Sequence, residues 1–111
     1  MTPKQRNNAD LFIEAAKTLV GVSTAVLDDF DNYGNANVFI TLKREEFSSF
    51  LKFTRPLQGL VKQLKTLAKK HACVIEWHEP PKRIYSQVGG SRKLWDGYDT
   101  DSYKLGVRFY E

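Results

Sequence analysis

The residues best suited to chemistry in this sequence are cations, and they are concentrated in one segment. Residues 43–72 hold eight of the 17 Lys and Arg residues but only two of the 13 acidic ones. No Asp or Glu occurs from Phe47 to Ala72. Cations grouped on one surface attract phosphate more strongly than the same charges spread over a protein. The segment therefore predicts a surface that binds the backbone of DNA or RNA.

The spacing of the lysines supports this interpretation. Lys62, Lys65 and Lys69 are three and four residues apart, so they would lie on one side of a helix and follow a phosphate backbone turn by turn. The alternative is a solvated helix face, because lysine is a good helix former. The lack of acidic neighbours favours nucleic acid, since like charges at this spacing repel each other. The cations assigned to this surface are Lys52, Arg55, Lys62, Lys65, Lys69 and Lys70.

A second group of cations surrounds a glycine turn. Gly89-Gly90-Ser91 is preceded by Lys82 and Arg83 and followed by Arg92 and Lys93. A flexible hairpin tip that ends in cations is suited to contact phosphates or a groove. The alternative is a plain hairpin turn with solubilising charges, because such turns are common.

Aromatic residues occupy strand positions where polar residues are expected. Phe39 lies between Asn37 and Thr41 in an alternating segment, and Tyr110 shares its predicted face with Arg108. If helices cover only the other face of the sheet, these rings lie beside cations, and bases can stack on them. The alternative is that both faces are covered and the rings belong to the core.

A run of residues with zinc-binding side chains does not have the spacing of a metal site. In a strand over residues 73–79, alternation predicts Cys73, Ile75 and Trp77 on one face and His78 on the other. The chain has one Cys and two His, so no second cluster completes four ligands. We therefore predict no metal site and no cofactor, and we expect Cys73 to be a small buried side chain.

No arrangement of nucleophile, base and acid is recognisable in the sequence. Asp28 and Asp29 are neighbours on a predicted strand, so their carboxylates face opposite ways. The three carboxylates of residues 96–101 lack the spacing of a calcium loop, and no phosphate-binding glycine motif occurs. We predict a binding protein without catalytic residues.

The elements that must position these groups are predicted from hydrophobic periodicity and turn residues. A helix is predicted over residues 8–20, with Asn8 as its cap, followed by a hairpin of strands 24–30 and 37–43. Two further helices are then expected, the second capped by Thr54 with Pro56 in its first turn. The later elements are predicted as helices 45–52 and 55–71 and as strands 73–79, 83–88, 92–95 and 104–111.

This order predicts the α+β class: a mainly antiparallel sheet with two principal helices packed on one face, in the order α-β-β-α-β-β-β. The 111 residues and 41% hydrophobic content predict a single domain over residues 1–111. A single cysteine excludes an internal disulfide, and no apolar run suggests a membrane span or a signal peptide, so we expect a cytoplasmic protein.

The function predicted from charge pattern and architecture is nucleic-acid binding, with DNA or RNA held by the lysine-rich helix and the glycine hairpin. The alternative is a protein-interaction module, a regulator or inhibitor that docks on an acidic protein partner or forms a homodimer. An amphipathic helix and an open sheet edge serve a protein partner equally well.

Overall fold

In the computed structural model, which describes residues 2–28, 30–43, 50–87 and 93–110, the chain forms two helices and six strands. Residues 50–56, 83–87 and 93–98 are described by their backbone alone. The helices are α1 (Pro3–Lys17) and α2 (Phe50–Lys70). The strands are β1 (Val22–Asp28), β2 (Asn35–Leu42), β3 (Cys73–Glu79), β4 (Arg83–Gln87), β5 (Lys93–Tyr98) and β6 (Tyr103–Phe109).

Four of the strands form one antiparallel sheet in the order β1-β2-β6-β3. The other two, β4 and β5, pair with each other as a separate antiparallel hairpin. The predicted α+β class is thus confirmed. The four strands predicted at residues 73–79, 83–88, 92–95 and 104–111 are present as β3 to β6, one more than in the predicted element order. The strand order places β1 and β3 at the two edges of the sheet, and this determines which side chains border the site described below.

The core lies between the helices and one face of the sheet. Side chains alternate across a strand, so every second residue of β2 and β6 points toward the helices. Ring packing between Phe12 of α1 and Phe109 of β6 is edge-to-face, with centroids 6.2 Å apart. Each large side chain buried in this layer contributes about 1.5–3 kcal/mol to folding. The buried side chains of β2 and β6 are Ala36, Val38, Ile40, Leu42, Tyr103, Leu105, Val107 and Phe109.

The first helix begins earlier than the sequence predicts. Thr2, not Asn8, is its N-cap: the Thr2 side chain accepts a hydrogen bond from the Gln5 backbone, and the Gln5 side chain accepts one from the Thr2 backbone. Pro3 occupies the first helical position, where its missing N–H has no cost. The prediction was wrong because hydrophobic periodicity starts one turn after this capping box does.

The second helix is continuous from Phe50 to Lys70, so Pro56 lies inside it and Thr54 is not its cap. The predicted break was wrong because proline fixes φ near the helical value, and the helix continues with the loss of one backbone hydrogen bond. Most of the predicted helix 45–52 lies outside the described residues.

An irregularity in β3 turns the side chains from Trp77 onward to the faces opposite to those predicted. The pairing with β6 shifts between Ile75 and Trp77, where β3 has one residue more than its partner. A bulge of this kind moves the residues that follow it to the opposite face. The prediction that Trp77 shares a face with Cys73 and Ile75 is therefore wrong.

The turn between α2 and β3 contains a backbone conformation that favours glycine. Ala72 has φ +54°, a left-handed conformation, and its carbonyl accepts a hydrogen bond from the Tyr110 N–H at 2.9 Å. A residue with a Cβ is disfavoured there by about 1–2 kcal/mol. We expect Ala72→Gly to raise the free energy of unfolding by about 1 kcal/mol and Ala72→Val to lower it, as measured by urea denaturation. Unchanged or reduced stability of Ala72→Gly would contradict strain at this turn.

Candidate nucleic-acid interface

The exposed lysines of α2 form a row along one flank of the helix. Leu60, Leu64 and Ala68 face the sheet and are buried. Successive residues turn by about 100°, so Lys62, Lys65 and Lys69 fall within a narrow arc on the outer surface. All three side chains are exposed. We call these three residues the lysine row.

The lysine row borders β3, the edge strand. Lys65 and Lys69 line a groove of about 180 Å³ together with Val74 and Ile75 of that strand. Nearer the other end of β3, Lys62 and Lys65 line a groove of about 370 Å³ with His78. An anion beside this edge of the sheet would therefore face cations along two turns of helix.

The other cations predicted on α2 are Lys52, Arg55 and Lys70, and they are not part of the lysine row. Lys70 is exposed but lies about 100° around the helix from Lys69, outside the row. Both lysines lie in the last turn of α2, where a cation also stabilises the helix dipole. Lys52 and Arg55 lie in the first turns of α2, and their side chains are outside the described residues.

The predicted basic hairpin has the expected backbone. Lys82 is exposed, and its carbonyl accepts a hydrogen bond from the Asp99 N–H at 2.8 Å, which closes the base of the hairpin. Arg83 begins β4 and Lys93 begins β5, but their side chains lie outside the described residues, as does Arg92 with the turn. The two strands confirm the predicted hairpin, while the placement of its cations stays a prediction.

The face of the sheet opposite the helices carries exposed aromatic side chains, and we call it the open face. Phe39 of β2 is 38% exposed, Trp77 of β3 is 45% exposed and Tyr110, just after β6, is 48% exposed. In the described part of the chain, α1 and α2 cover only the other face. Phe39 and Tyr110 thus do not belong to the core.

Trp77 lies on this face although, like Lys104, it is not among the site residues predicted from the sequence. The bulge in β3 turns it onto the open face, where it pairs across the strands with Gly106 of β6. A Cβ on Gly106 would overlap the Trp77 indole, so the ring lies directly against the backbone of β6. An isolated glycine inside a strand is the signal that predicts such a close approach.

A lysine ammonium lies between two of these rings. Strand β6 runs between β2 and β3, and its Lys104 Nζ lies 5.2 Å from the Phe39 ring centroid and 5.8 Å from that of Trp77. Both distances are within the range of a cation–π interaction. We call Phe39, Lys104 and Trp77 the aromatic platform.

Arg108 also lies on the open face, but a carboxylate neutralises much of its charge. Its Nε is 3.1 Å from Glu76 Oε1, and its guanidinium lies 5.6 Å from the Tyr110 ring centroid. Exposed ion pairs contribute only about 0–1 kcal/mol to stability. The pair therefore matters mainly for the orientation of Arg108 at this end of the face.

A polar groove of about 290 Å³ opens beside Trp77. Gly106 is part of its lining, together with amide and carboxylate side chains. Asp31 Oδ1 accepts hydrogen bonds from the backbone N–H groups of Tyr33 and Asn35, and Oδ2 accepts one from the Asn35 side chain at 2.8 Å. The bond from the Asn35 side chain contributes most to lowering the pKa of Asp31, so this carboxylate stays charged. The polar residues of the groove are Asp31, Asn35, Asn37 and Glu76.

The lysine row lies on the helix side of the sheet and the aromatic platform lies on the open face. Both border the edge strand β3. Trp77 faces the open face, whereas the next residue, His78, lies near Lys62 and Lys65 on the helix side. The predicted opposite facing of Cys73 and His78 is wrong, because the bulge turns His78 toward the helix side, where its ring lies 6.2 Å from that of Tyr103. A ligand that follows the edge of β3 would thus contact both surfaces.

The buried titratable groups of the helix side are held neutral. Burial raises the pKa of the Cys73 thiol to about 12 and that of the Tyr103 hydroxyl to about 12. The expectation that Cys73 is buried is confirmed. Among the residues that the structure describes, no three His, Cys, Asp or Glu side chains are close enough to hold a metal ion.

No protein-family model matches the sequence, and the search of curated proteins returned no match. The described helices include none with the length and hydropathy required to cross a membrane.

Proposed function

We propose that the protein binds nucleic acid, with the lysine row as its contact to the phosphates. The observation that carries the proposal is the position of Lys62, Lys65 and Lys69, exposed along two turns of α2 beside the edge strand. Their ammonium groups have no acidic neighbours on the helix, since residues 47–72 contain no Asp or Glu. Counterions that such a row displaces from nucleic acid provide the free energy of binding.

This mode of binding depends on the backbone of the nucleic acid more than on its sequence. Lysine contributes a point charge, whereas reading base edges favours the planar fork of arginine. Phosphate contacts fix the position of a nucleic acid but carry no sequence information. We therefore propose a binding protein without catalytic activity and with little sequence preference at the lysine row.

The basic hairpin extends this surface in the proposal. Lys82 is exposed at its base, and Arg83, Arg92 and Lys93 follow in the sequence around the turn. We propose that these cations contact phosphates further along the same nucleic acid.

A protein partner is the second candidate, and one observation favours it. Val26 and Phe39 are cross-strand neighbours on the open face and both are exposed, with Trp77 nearby. Exposed apolar groups that lie together mark interaction surfaces for proteins, including a second copy of the same chain. A stable homodimer in size-exclusion chromatography with light scattering, without nucleic-acid binding, would favour this candidate.

The test of the proposed function is fluorescence anisotropy with labelled single- and double-stranded DNA and RNA. If each lysine of the row neutralises one phosphate, affinity for a single strand should fall about 20-fold between about 50 and 200 mM salt. Absence of binding to every probe at the lower salt concentration would overturn the proposal. Binding that does not weaken with salt would exclude the lysine row as its basis.

A further inference from the structure

We infer that the aromatic platform stacks unpaired bases, so that the protein selects single-stranded over duplex nucleic acid. The inference rests on the proposed function and names its substrate class. It is carried by the exposed rings of Phe39 and Trp77 on the open face, with the ammonium of Lys104 near both.

The rings are presented in the way that stacking on a base requires. The Trp77 indole lies against the backbone of Gly106, which holds the ring on the sheet, while the residue remains 45% exposed. An exposed ring on a rigid strand offers a flat surface to any base. Bases of a duplex are already stacked on each other, so only unpaired bases can use such a surface.

The groove beside Trp77 selects a base rather than a phosphate. Its volume of about 290 Å³ would hold roughly ten water molecules, enough for one nucleobase. The charged carboxylate of Asp31 repels a phosphate, whereas the carboxylate and amide oxygens of the groove accept hydrogen bonds from the N–H groups of a base. The cations flank the groove: Lys104 lies at the rings and Arg108 is paired with Glu76.

The course of β3 connects this groove to the lysine row. Trp77 and His78 are consecutive, and they face the two sides of the edge strand. A single strand that follows this edge can place bases on the open face while its phosphates face Lys62 and Lys65. A duplex is too wide to place its bases there, so it is limited to the phosphate contacts.

The composition of the open face favours nucleic acid over a second copy of this chain. Thr24, Asn35, Asn37 and Thr41 lie on the same face as the rings, so most open-face positions of β1 and β2 can form hydrogen bonds. The cores of homodimer interfaces are more apolar than this.

The experiment compares Trp77→Ala and Phe39→Ala with the unchanged protein, using matched single-stranded and duplex probes. Each substitution should lower affinity for the single strand about ten-fold and leave duplex affinity within about two-fold. Trp77→Phe, which keeps a ring, should retain most of the affinity. The control is Leu11→Ala, which removes an exposed apolar side chain from α1 and should change neither affinity.

A second readout follows stacking directly. In a Trp95→Phe background, Trp77 is the remaining tryptophan, and its fluorescence should be quenched when a single strand binds but not when a duplex binds. Equal affinity for both probes, with no loss in Trp77→Ala, would overturn the inference while salt-dependent binding still supported the proposed function. No binding of any probe would overturn both the inference and the proposed function. A homodimer that Trp77→Ala abolishes would show that a second copy of the chain, and not nucleic acid, occupies the open face.

Discussion

We expect charge reversal of the lysine row to lower the affinity for single-stranded nucleic acid by about 100-fold or more at low salt. The variant replaces Lys62, Lys65 and Lys69 together by Glu. Each substitution removes an attraction to a phosphate and adds a repulsion. The three side chains are exposed, so the change affects the surface and leaves the core of the protein intact. Anisotropy titrations measure the loss, and circular dichroism checks the fold.

Two further variants distinguish the effect of the position of these charges on affinity from the effect of the net charge. Replacement of the same lysines by Gln should reduce the slope of log affinity against log salt by about 2, since each phosphate contact contributes about 0.7 for a single strand. The control replaces Lys4, Arg6 and Lys17 by Glu, which changes the net charge equally at exposed positions on α1. If this control loses as much affinity, overall charge and not the row determines binding.

The fold was predictable where apolar residues recur at one regular spacing along a whole helix or strand. In β2 and β6, alternate residues are apolar because one face packs on the helices, and the sequence identified both strands within two residues. The same reasoning failed at Asn8, because the capping box at Thr2 lies before the periodic residues. It failed again at Pro56, where proline remains inside a long helix.

The site was predictable only in part, because one extra residue in a strand reverses the side chains that follow it. The sequence identified Phe39 and Tyr110 as aromatics on the polar side of their strands, and both are exposed. It misplaced Trp77, because alternation alone gives no sign of the bulge between Ile75 and Trp77. The informative residue was Gly106 on the neighbouring strand, and its role depends on a pairing that the sequence does not specify.

A second large effect is expected from Gly34→Ala, in the turn before β2. Gly34 has φ +89°, and a Cβ there would lie 2.5 Å from the Phe109 carbonyl oxygen and 2.6 Å from Gln5 Nε2. Those two atoms form a buried hydrogen bond of 2.9 Å, and Gln5 is only 2% exposed. Alanine would therefore separate a buried donor from its acceptor, which costs about 1–3 kcal/mol, and add about 1 kcal/mol of backbone strain.

We expect Gly34→Ala to lower the free energy of unfolding by about 3 kcal/mol, as measured by urea denaturation. The matched control is Gly59→Ala, inside α2, where a Cβ meets no atom within 4 Å and the change should stabilise the helix by about 1 kcal/mol. A loss in Gly34→Ala no larger than a few tenths of a kcal/mol would show that Gln5 and Phe109 move apart easily. In that case the turn that holds Asp31 and Asn35 beside Trp77 would be adaptable, and the groove would adjust to its base only on binding.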